Sequence, residues 1–454
     1  MSAAAPPGAL HERLHDAATV ARDLLAHGAP ARWELFAKAS SSRILELAGG
    51  RRSRETRVEE TGIAVRTSSG RPAGFAAASG LGATAARAAI DGAARAASKV
   101  LFDPLPPAGI LGQKSMPPPR RGPERGWLRA TAAELERAIA AASGGRVTLR
   151  RTVAEVGSFA WILTTAEGFV ATWEDSGLSL LVELEAPGPG FGAWRDWLHV
   201  AEPQRFDVAA TAHRLADRVL LTLAPVSAGR GVKDLLLHPE VAAHLLAALA
   251  PLFVAPRGER DPLAGLLNGD GELAAPALTL VDSRVDPKAP ILAPCDGEGL
   301  PVGRTLLVDA GVPRHRLACY HEAVAAGETP RGGAVRLSYR DAPASGLANL
   351  MVATDDGLTP GRLLRATPRA LYVLRPLAPV RCDLAHDRYR IIASGVWLEG
   401  GRVVGWHPVV ELAGSLGQLL RRIEAVGTDL AWHQTAAGMV GTPSILVRRQ
   451  PVVG

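Results

Sequence analysis

The chain carries CDGEGLP at residues 295–301, and RTLLVDAG follows at residues 304–311. Acids and glycines are turn-forming residues, whereas apolar and β-branched residues favour strands, so the two stretches predict a strand, a turn and a second strand. Most segments after residue 277 have a similar composition, and we expect helices there only near residues 360–367 and 412–425. The C-terminal part is therefore predicted to be β-rich with few helices.

The length of 454 residues exceeds what one hydrophobic core usually organises, and 47% apolar residues permit extensive burial. We predict an α+β protein with an N-terminal α/β layer domain at residues 1–104, a middle antiparallel-sheet domain at 127–226 and a β-rich C-terminal domain at 227–454. Prolines are frequent in residues 105–126. Because proline fixes the backbone and lacks a donor, we interpret that segment as a linker.

Apolar periodicity predicts the elements of the first two units. We expect an α-β-β-β-α order in the first unit and a helix, an antiparallel meander and a second helix in the next. The predicted helices cover residues 9–27, 83–101, 131–143 and 206–224, and the predicted short strands cover residues 33–37, 44–47, 62–66, 74–77, 147–150, 159–163, 169–173 and 178–184.

Composition argues against several classes of protein. The formal charge of +6 is modest and no block of lysine or arginine is present, so we expect no nucleic-acid partner. The longest apolar run, residues 245–256, contains a proline and is too short to cross a bilayer. The first residues lack the pattern of a signal peptide, and three scattered cysteines suit a reducing compartment. We expect a soluble cytoplasmic protein without a membrane partner.

The most explicit metal motif is HERLH at residues 11–15. His11 and His15 lie one helical turn apart and are suited to bind zinc, with Glu12 as general base and Glu34 as a possible third ligand. However, terminal helices fray, and Glu34 lies in a predicted strand. We therefore favour a solvated helix face for this motif and retain a zinc site as the alternative.

A second pair of histidines, His238 and His244, is six residues apart. At 3.6 residues per turn their side chains diverge by about 120°, so they do not converge on one metal. We expect His238 and Glu240 to serve the start of a helix that begins at Pro239, with His244 partly exposed.

Two further groups receive simpler interpretations. His321 and Glu322 begin like a metal-binding helix, but no second histidine follows, so we expect an ordinary surface pair. Cys295 has no neighbour that marks it as activated, and we interpret it as a buried thiol.

Several motifs, in this order, resemble those of the TldD/PmbA family and are closer to its PmbA (TldE) branch. The similarity spans roughly residues 30–450. The motifs are EETGIAVR at 59–66, GFAAA at 74–78, LLLHPEVAAHLL at 235–246, DGEGLP at 296–301, LVDAGV at 307–312, ASGVWLEGG at 393–401, IEAVGTD at 423–429 and PSILV at 443–447.

The resemblance implies a role beside a catalyst. In this family the TldD-type subunit carries a helical His-Glu-x-x-x-His set and a C-terminal cysteine as metal ligands, and it forms a heterodimeric metalloprotease with a PmbA-type subunit that lacks them. Here the helix from Pro239 has no His-Glu pair, and residues 434–439 contain no cysteine. The resemblance therefore implies no catalytic, cofactor or metal residue in this chain.

It also implies a TldD-like partner that holds the zinc, and an unfolded or small peptide as the substrate. Two alternatives stay open. One is a self-sufficient zinc metallopeptidase that uses His11, Glu12 and His15, and the other is a non-catalytic binding or scaffold protein.

Overall fold

We describe a computed structural model of the chain, which covers residues 9–27, 32–48, 51–68, 73–97, 104–123, 126–188, 192–200, 202–223, 231–254 and 261–453. The helices are α1 (Ala9–Ala26), α2 (Ala83–Ala96), α3 (Trp127–Ala142), α4 (Val208–Leu221), α5 (Pro239–Leu249), α6 (Pro262–Leu266), α7 (Tyr320–Ala325), α8 (Pro360–Arg365) and α9 (Leu416–Arg421). The strands are β1 (Arg32–Ala48), β2 (Arg51–Ser68), β3 (Ala73–Ser79), β4 (Thr148–Thr165), β5 (Val170–Glu185), β6 (Ala193–Val200), β7 (Gly231–Leu237), β8 (Leu280–Ser283), β9 (Arg304–Asp309), β10 (Val312–Pro313), β11 (Ala334–Val335), β12 (Ala344–Ser345), β13 (Asn349–Val352), β14 (Arg369–Pro376), β15 (Arg381–Asp383), β16 (Arg388–Glu399), β17 (Arg402–Ser415), β18 (Ile423–Val426), β19 (Ala431–Thr435), β20 (Gly438–Thr442) and β21 (Ile445–Val452).

The fold is α+β with a β-rich C-terminal region, as predicted. In the described residues no helix combines the length and the apolar character that a bilayer crossing requires.

The first six strands form one antiparallel sheet in the order β3-β2-β1-β4-β5-β6. The predicted α-β-β-β-α order and the meander are both present, and the strand predicted at 74–77 is confirmed as β3. The predicted division of β1, β4 and β5 into two short strands each is wrong, because each pair merges into one long strand. The polar residues 40–42 suggested a break, yet they pair on both sides with β2 and β4. Both neighbours satisfy the backbone there, so the strand continues through a polar stretch.

Pairing of β1 with β4 means that strands from the predicted first and middle units share one sheet. The domain boundaries themselves stay a prediction, and the predicted boundary at 226/227 and helix ends at 98–101 and 224 lie outside the described residues. Strand β6 was not predicted.

The proline-rich segment contains no strand within residues 104–123, and it is packed against the rest of the molecule. Gly112 N–H donates to Gly299 O at 3.0 Å, and Lys114 N–H donates to Pro294 O at 2.7 Å. The Arg120 side chain pairs with Asp175 on β5. This segment therefore links α2 to α3 along the chain and contacts both the first sheet and the C-terminal region.

The C-terminal region contains two larger sheets. One has the order β14-β7-β21-β17-β16-β15 with β18 beside β21, and the other has the order β10-β9-β8-β13-β20-β19. Helix α5 packs against strands of both sheets, and its apolar side chains lie in the largest core. The predicted helix at 360–367 is confirmed as α8. The helix predicted at 412–425 is shorter, because Ser415 Oγ accepts from Gln418 N–H and caps α9 after β17 has ended.

Candidate functional site

The two faces of the first sheet pack against different parts of the molecule. On β1, Leu35, Ala37 and Ala39 pack under α1 and α2, whereas Phe36 and Lys38 point to the other side. Side chains alternate along a strand, so the second face is directed towards the C-terminal region. Both faces are buried over much of β1, and an in-out pattern is therefore hard to detect in the sequence.

A cavity of about 1010 Å³ lies between this second face and the C-terminal region. Its first side consists of Phe36, Phe159 and Trp161, which we call the aromatic wall, together with Lys38 and Leu163. The rings of Phe36 and Trp161 are 6.1 Å apart. The other sides comprise residues 247, 250, 251, 254, 284, 291–293, 295–297, 335–337, 345–348 and 434–438.

The turn at residues 295–301 forms one edge of the cavity, and Asp296 determines its shape. Asp296 Oδ1 accepts from the N–H groups of Glu298 and Leu300 at 2.9 Å, while Oδ2 accepts from Ala334 N–H at 3.0 Å. Gly299 has a φ of +84°, which suits glycine. The predicted strand-turn-strand unit is thus a turn closed by a bridge between Cys295 and Pro301, followed by β9.

Four buried charged residues, Glu34, Arg66, Glu298 and Arg336, join this turn to the first sheet, and we call them the ion network. Arg66 Nη1 lies 3.1 Å from Glu298 Oε1 and 3.4 Å from Glu34 Oε2, and Arg336 pairs with Glu34. Each side chain is at most 2% exposed. Burial raises the pKa of the Glu298 carboxyl, and Arg66 opposes that rise. The network therefore connects strands β1 and β2 to the edge of the cavity.

The histidine motif on α1 does not converge with Glu34. Glu12 and His15 are exposed and His11 is partly exposed. Glu34, the possible third ligand, is instead buried between Arg66 and Arg336. These three α1 residues are not among the groupings of three or more potential metal ligands in the described part of the chain.

His238 caps α5, which confirms its predicted role at the helix start. Its Nδ1 accepts from Glu240 N–H at 3.2 Å, and the Arg218 guanidinium lies against its Nε2. Burial, followed by the charge of Arg218, lowers the pKa of His238. His244 is partly exposed as expected, and neither histidine lines the cavity.

The position at which the family resemblance implies zinc lies on two sides of the cavity. Helix α5 and the turn after it present Ala247, Ala250 and Pro251, and residues 434–438 (QTAAG) face them. Zinc in proteins is held by thiolate, imidazole and carboxylate groups, usually three or four of them. None of these lining residues carries such a group, and His244, the one histidine within α5, does not line the cavity, so the residues at this position do not fit zinc.

Cys319, His321 and Glu322 form a different cluster, in which one potential ligand atom from each lies within 4.8 Å of the others. His321 and Glu322, predicted as an ordinary surface pair, are partly buried and lie beside the fully buried Cys319, so they belong to a cluster of three. Cys319 Sγ lies 3.3 Å from His321 Nδ1, and Ser345 Oγ donates to Glu322. Burial raises the pKa of the Cys319 thiol to about 11.

Cys295 lines the cavity but is only 1% exposed. Burial and then the neighbouring Asp296 raise the pKa of its thiol far above the ordinary value. A protonated thiol is a poor nucleophile, so this residue is a buried structural cysteine, as expected.

Comparison with known proteins agrees with this architecture. Residues 230–454 match the family described as PmbA/TldA metallopeptidase C-terminal domain. The structure of TldE from Thermococcus kodakarensis is similar, with 17% identity, a TM-score of 0.78 and coverage of 98% of this chain and 100% of that one. A search of curated proteins found no significant match.

Two further solved structures, each described as a candidate modulator of DNA gyrase, share the fold. The protein from Thermotoga maritima is 17% identical over 97% of this chain and 100% of its own, with a TM-score of 0.77. The protein from Bacteroides thetaiotaomicron is 16% identical over 98% of both chains, with a TM-score of 0.77. The C-terminal half is thus a metallopeptidase-type domain by family. The chain belongs to the TldD/PmbA family.

Proposed function

We propose that this chain is the TldE/PmbA-like subunit of a heterodimeric zinc metallopeptidase, and that a TldD-like partner supplies the zinc. The observation that carries the proposal is the composition of the two cavity segments at which the family resemblance implies metal ligands. Ala247, Ala250 and Pro251 on one side, and residues 434–438 on the other, offer no side chain of the kind that binds zinc. A chain built in this way encloses a site without performing its chemistry.

The cavity supports a peptide as the ligand. Its volume of about 1010 Å³ is at the upper end of small-ligand pockets, which suits a short unfolded segment and excludes a folded domain. Strand β19 is at the end of its sheet in the described strand order, and residues that follow it line the cavity. An extended peptide is able to add to such an edge through backbone hydrogen bonds.

The proposal places the complex in the cytoplasm, without nucleic acid or membrane as a partner. All three cysteines, Cys295, Cys319 and Cys382, are free thiols in the structure, which suits a reducing compartment.

Reconstitution of cleavage tests the proposal. The chain and a TldD-like protein are purified separately and incubated, alone and mixed, with an unfolded peptide, and cleavage is followed by mass spectrometry. We expect products only from the mixture. Cleavage by this chain alone that is lost in His15→Ala would favour the self-sufficient peptidase. Binding of peptide without cleavage in the mixture would favour the scaffold alternative, and either result contradicts the proposal.

A further inference from the structure

Arg284 is a buried cation of the cavity that takes no part in the ion network. It follows β8, lines the cavity and is only 6% exposed. Its Nε and Nη2 atoms are buried and make no hydrogen bond. Arginine has five N–H donors and stays charged, so burial without acceptors is unfavourable. Natural proteins rarely retain such a group unless another molecule supplies the acceptors.

Two carboxylates, Asp282 and Asp296, interact with the charge of Arg284, but both already accept hydrogen bonds from backbone N–H groups. Asp282 Oδ1 accepts from the N–H groups of Ala348 and Asn349 at 2.9 and 2.8 Å. Asp296 uses both oxygens for the backbone of the cavity edge, as described above. Both acids influence Arg284 through charge, yet neither forms a hydrogen bond with its side chain. The guanidinium therefore has attraction for an anion and free donors to bind one.

The other cations of the cavity differ from Arg284 in this respect. Arg336 is paired with Glu34 and also donates to Gly297 O at 2.7 Å. Lys38 Nζ donates to Leu337 O at 2.8 Å, and two nearby carboxylates hold its charge. Among the described basic residues of the cavity, Arg284 is the one with buried and unsatisfied donors.

Apolar residues surround the approach to Arg284. The Arg284 carbonyl accepts from Ala293 N–H at 3.2 Å, which places the segment 291–293 beside it. Leu292 in turn packs with Phe159 and Trp161 of the aromatic wall. A ligand that meets the guanidinium therefore presents apolar groups next to its anionic group.

Building on the proposed function, we infer that Arg284 binds a carboxylate of the peptide held in the cavity. A guanidinium offers two parallel N–H groups that match the two oxygens of a carboxylate, and the pairing is strong when water is excluded. The carboxylate belongs either to the C-terminus of the peptide or to an acidic side chain. In both cases the preferred ligand is a short peptide with an apolar residue beside the carboxylate.

Peptide binding to the full chain alone, without metal or partner, tests this inference. Three N-acetylated peptides are compared by calorimetry: Ala-Ala-Leu-Leu with a free C-terminus, the same peptide amidated, and an amidated form that ends in Glu. We expect a carboxylate to improve binding by about 10- to 100-fold, which is the range for one charge-assisted pair. The peptide that binds more tightly than the plain amide shows whether the carboxylate comes from the C-terminus or from a side chain.

Three variants make the result specific. Arg284→Gln is expected to bind all three peptides equally, and Arg284→Lys to retain part of the preference because it keeps the charge. Arg304→Gln, which removes an exposed arginine on β9, is the matched control and keeps the full preference. Thermal unfolding checks that Arg284→Gln is folded, because this change removes a positive charge close to the buried carboxylates of Asp282 and Asp296.

A wild-type chain that binds the three peptides equally, or binds none of them, overturns the inference, as does a preference that survives in Arg284→Gln. The proposed function fails separately. If cleavage depends on the partner but Arg284→Gln keeps the full preference for a carboxylate, only the role of Arg284 is contradicted. If the chain cleaves without a partner, only the subunit role is contradicted.

Discussion

Glu34 illustrates how one residue acquires its role from the fold. In the sequence it stands nineteen residues after His15, at a plausible spacing for a zinc ligand. In the structure it alternates with the residues that pack under α1 and points to the opposite face, where Arg66 and Arg336 hold it. The ion network closes the edge of the cavity because each of its buried carboxylates meets a guanidinium.

Removing Arg66 should therefore destabilise the chain. Arg66→Met leaves the buried Glu298 without a cationic partner and leaves Glu34 with Arg336 alone, and we expect a loss of about 3–5 kcal/mol in the free energy of unfolding. Urea unfolding monitored by tryptophan fluorescence measures it. Arg57→Met, on the exposed part of the same strand, is the control and should stay within about 0.5 kcal/mol of the wild type. Equal stability of the two variants would show that the network contributes little.

Buried histidines should make the protein sensitive to acid. Burial lowers the pKa of His433 to about 4, from an ordinary value near 6.5. The unfolded state then binds the proton first, so stability is complete above pH 6.5 and falls as the pH drops from 6.5 towards 4. We expect the wild type to lose roughly 2 kcal/mol more than His433→Gln over this interval, allowing for partial exposure of the ring. Parallel curves of unfolding free energy against pH would contradict the assignment.

The roles of individual residues could be predicted from the sequence only in part. The capping role of His238 followed from Pro239 and Glu240, because helix starts have local signals. The sequence Cys-Tyr-His-Glu at 319–322 indicates the Cys319 cluster, but the predicted pair of His321 and Glu322 did not include the cysteine. Arg336 had no local signal, since its partner Glu34 is distant in the chain, and Arg284 had none, since the cavity that it lines forms only on folding.

At the scale of elements, long strands were the main difficulty. Residues 40–42 in β1 and residues 176–177 in β5 have the composition of turns, yet both segments lie within strands. Residues 40–42 pair with β2 on one side and with β4 on the other, and residues 176–177 pair with β4. Tertiary pairing overrides local propensity there. Helices α1, α2, α3, α4 and α5 were predicted well, because an apolar stripe with a clear end is a local property.

The turn at 295–301 provides an element-scale test. Gly299 has a positive φ, and an added Cβ would lie 2.9 Å from the Phe169 ring. Gly299→Ala should lower the free energy of unfolding by about 1–3 kcal/mol. Gly303→Ala is a matched control four residues later, with open space around the added methyl group. Thermal unfolding of the two variants compares them, and a Gly299→Ala protein as stable as the Gly303→Ala protein would contradict the described turn.

At the scale of the whole molecule, three parts surround one cavity: the first sheet, helix α5 with the turn after it, and the C-terminal strands. The ion network and the proline-rich segment hold these parts together. The order of motifs along the chain indicated the family and its fold. It did not indicate the cavity, because the cavity is formed by residues from positions 36 to 438 that meet only after folding.

The central claim is that the enclosing chain holds no catalytic zinc of its own. Zinc bound per chain, measured by mass spectrometry of metals after purification without chelators, tests it most directly. We expect clearly less than one zinc per molecule of this chain alone, and close to one zinc per heterodimer with a TldD-like partner. One tightly bound zinc on the isolated chain would contradict the claim. Its loss in His15→Ala or in Cys319→Ser would then locate it on α1 or in the cluster beside the cavity.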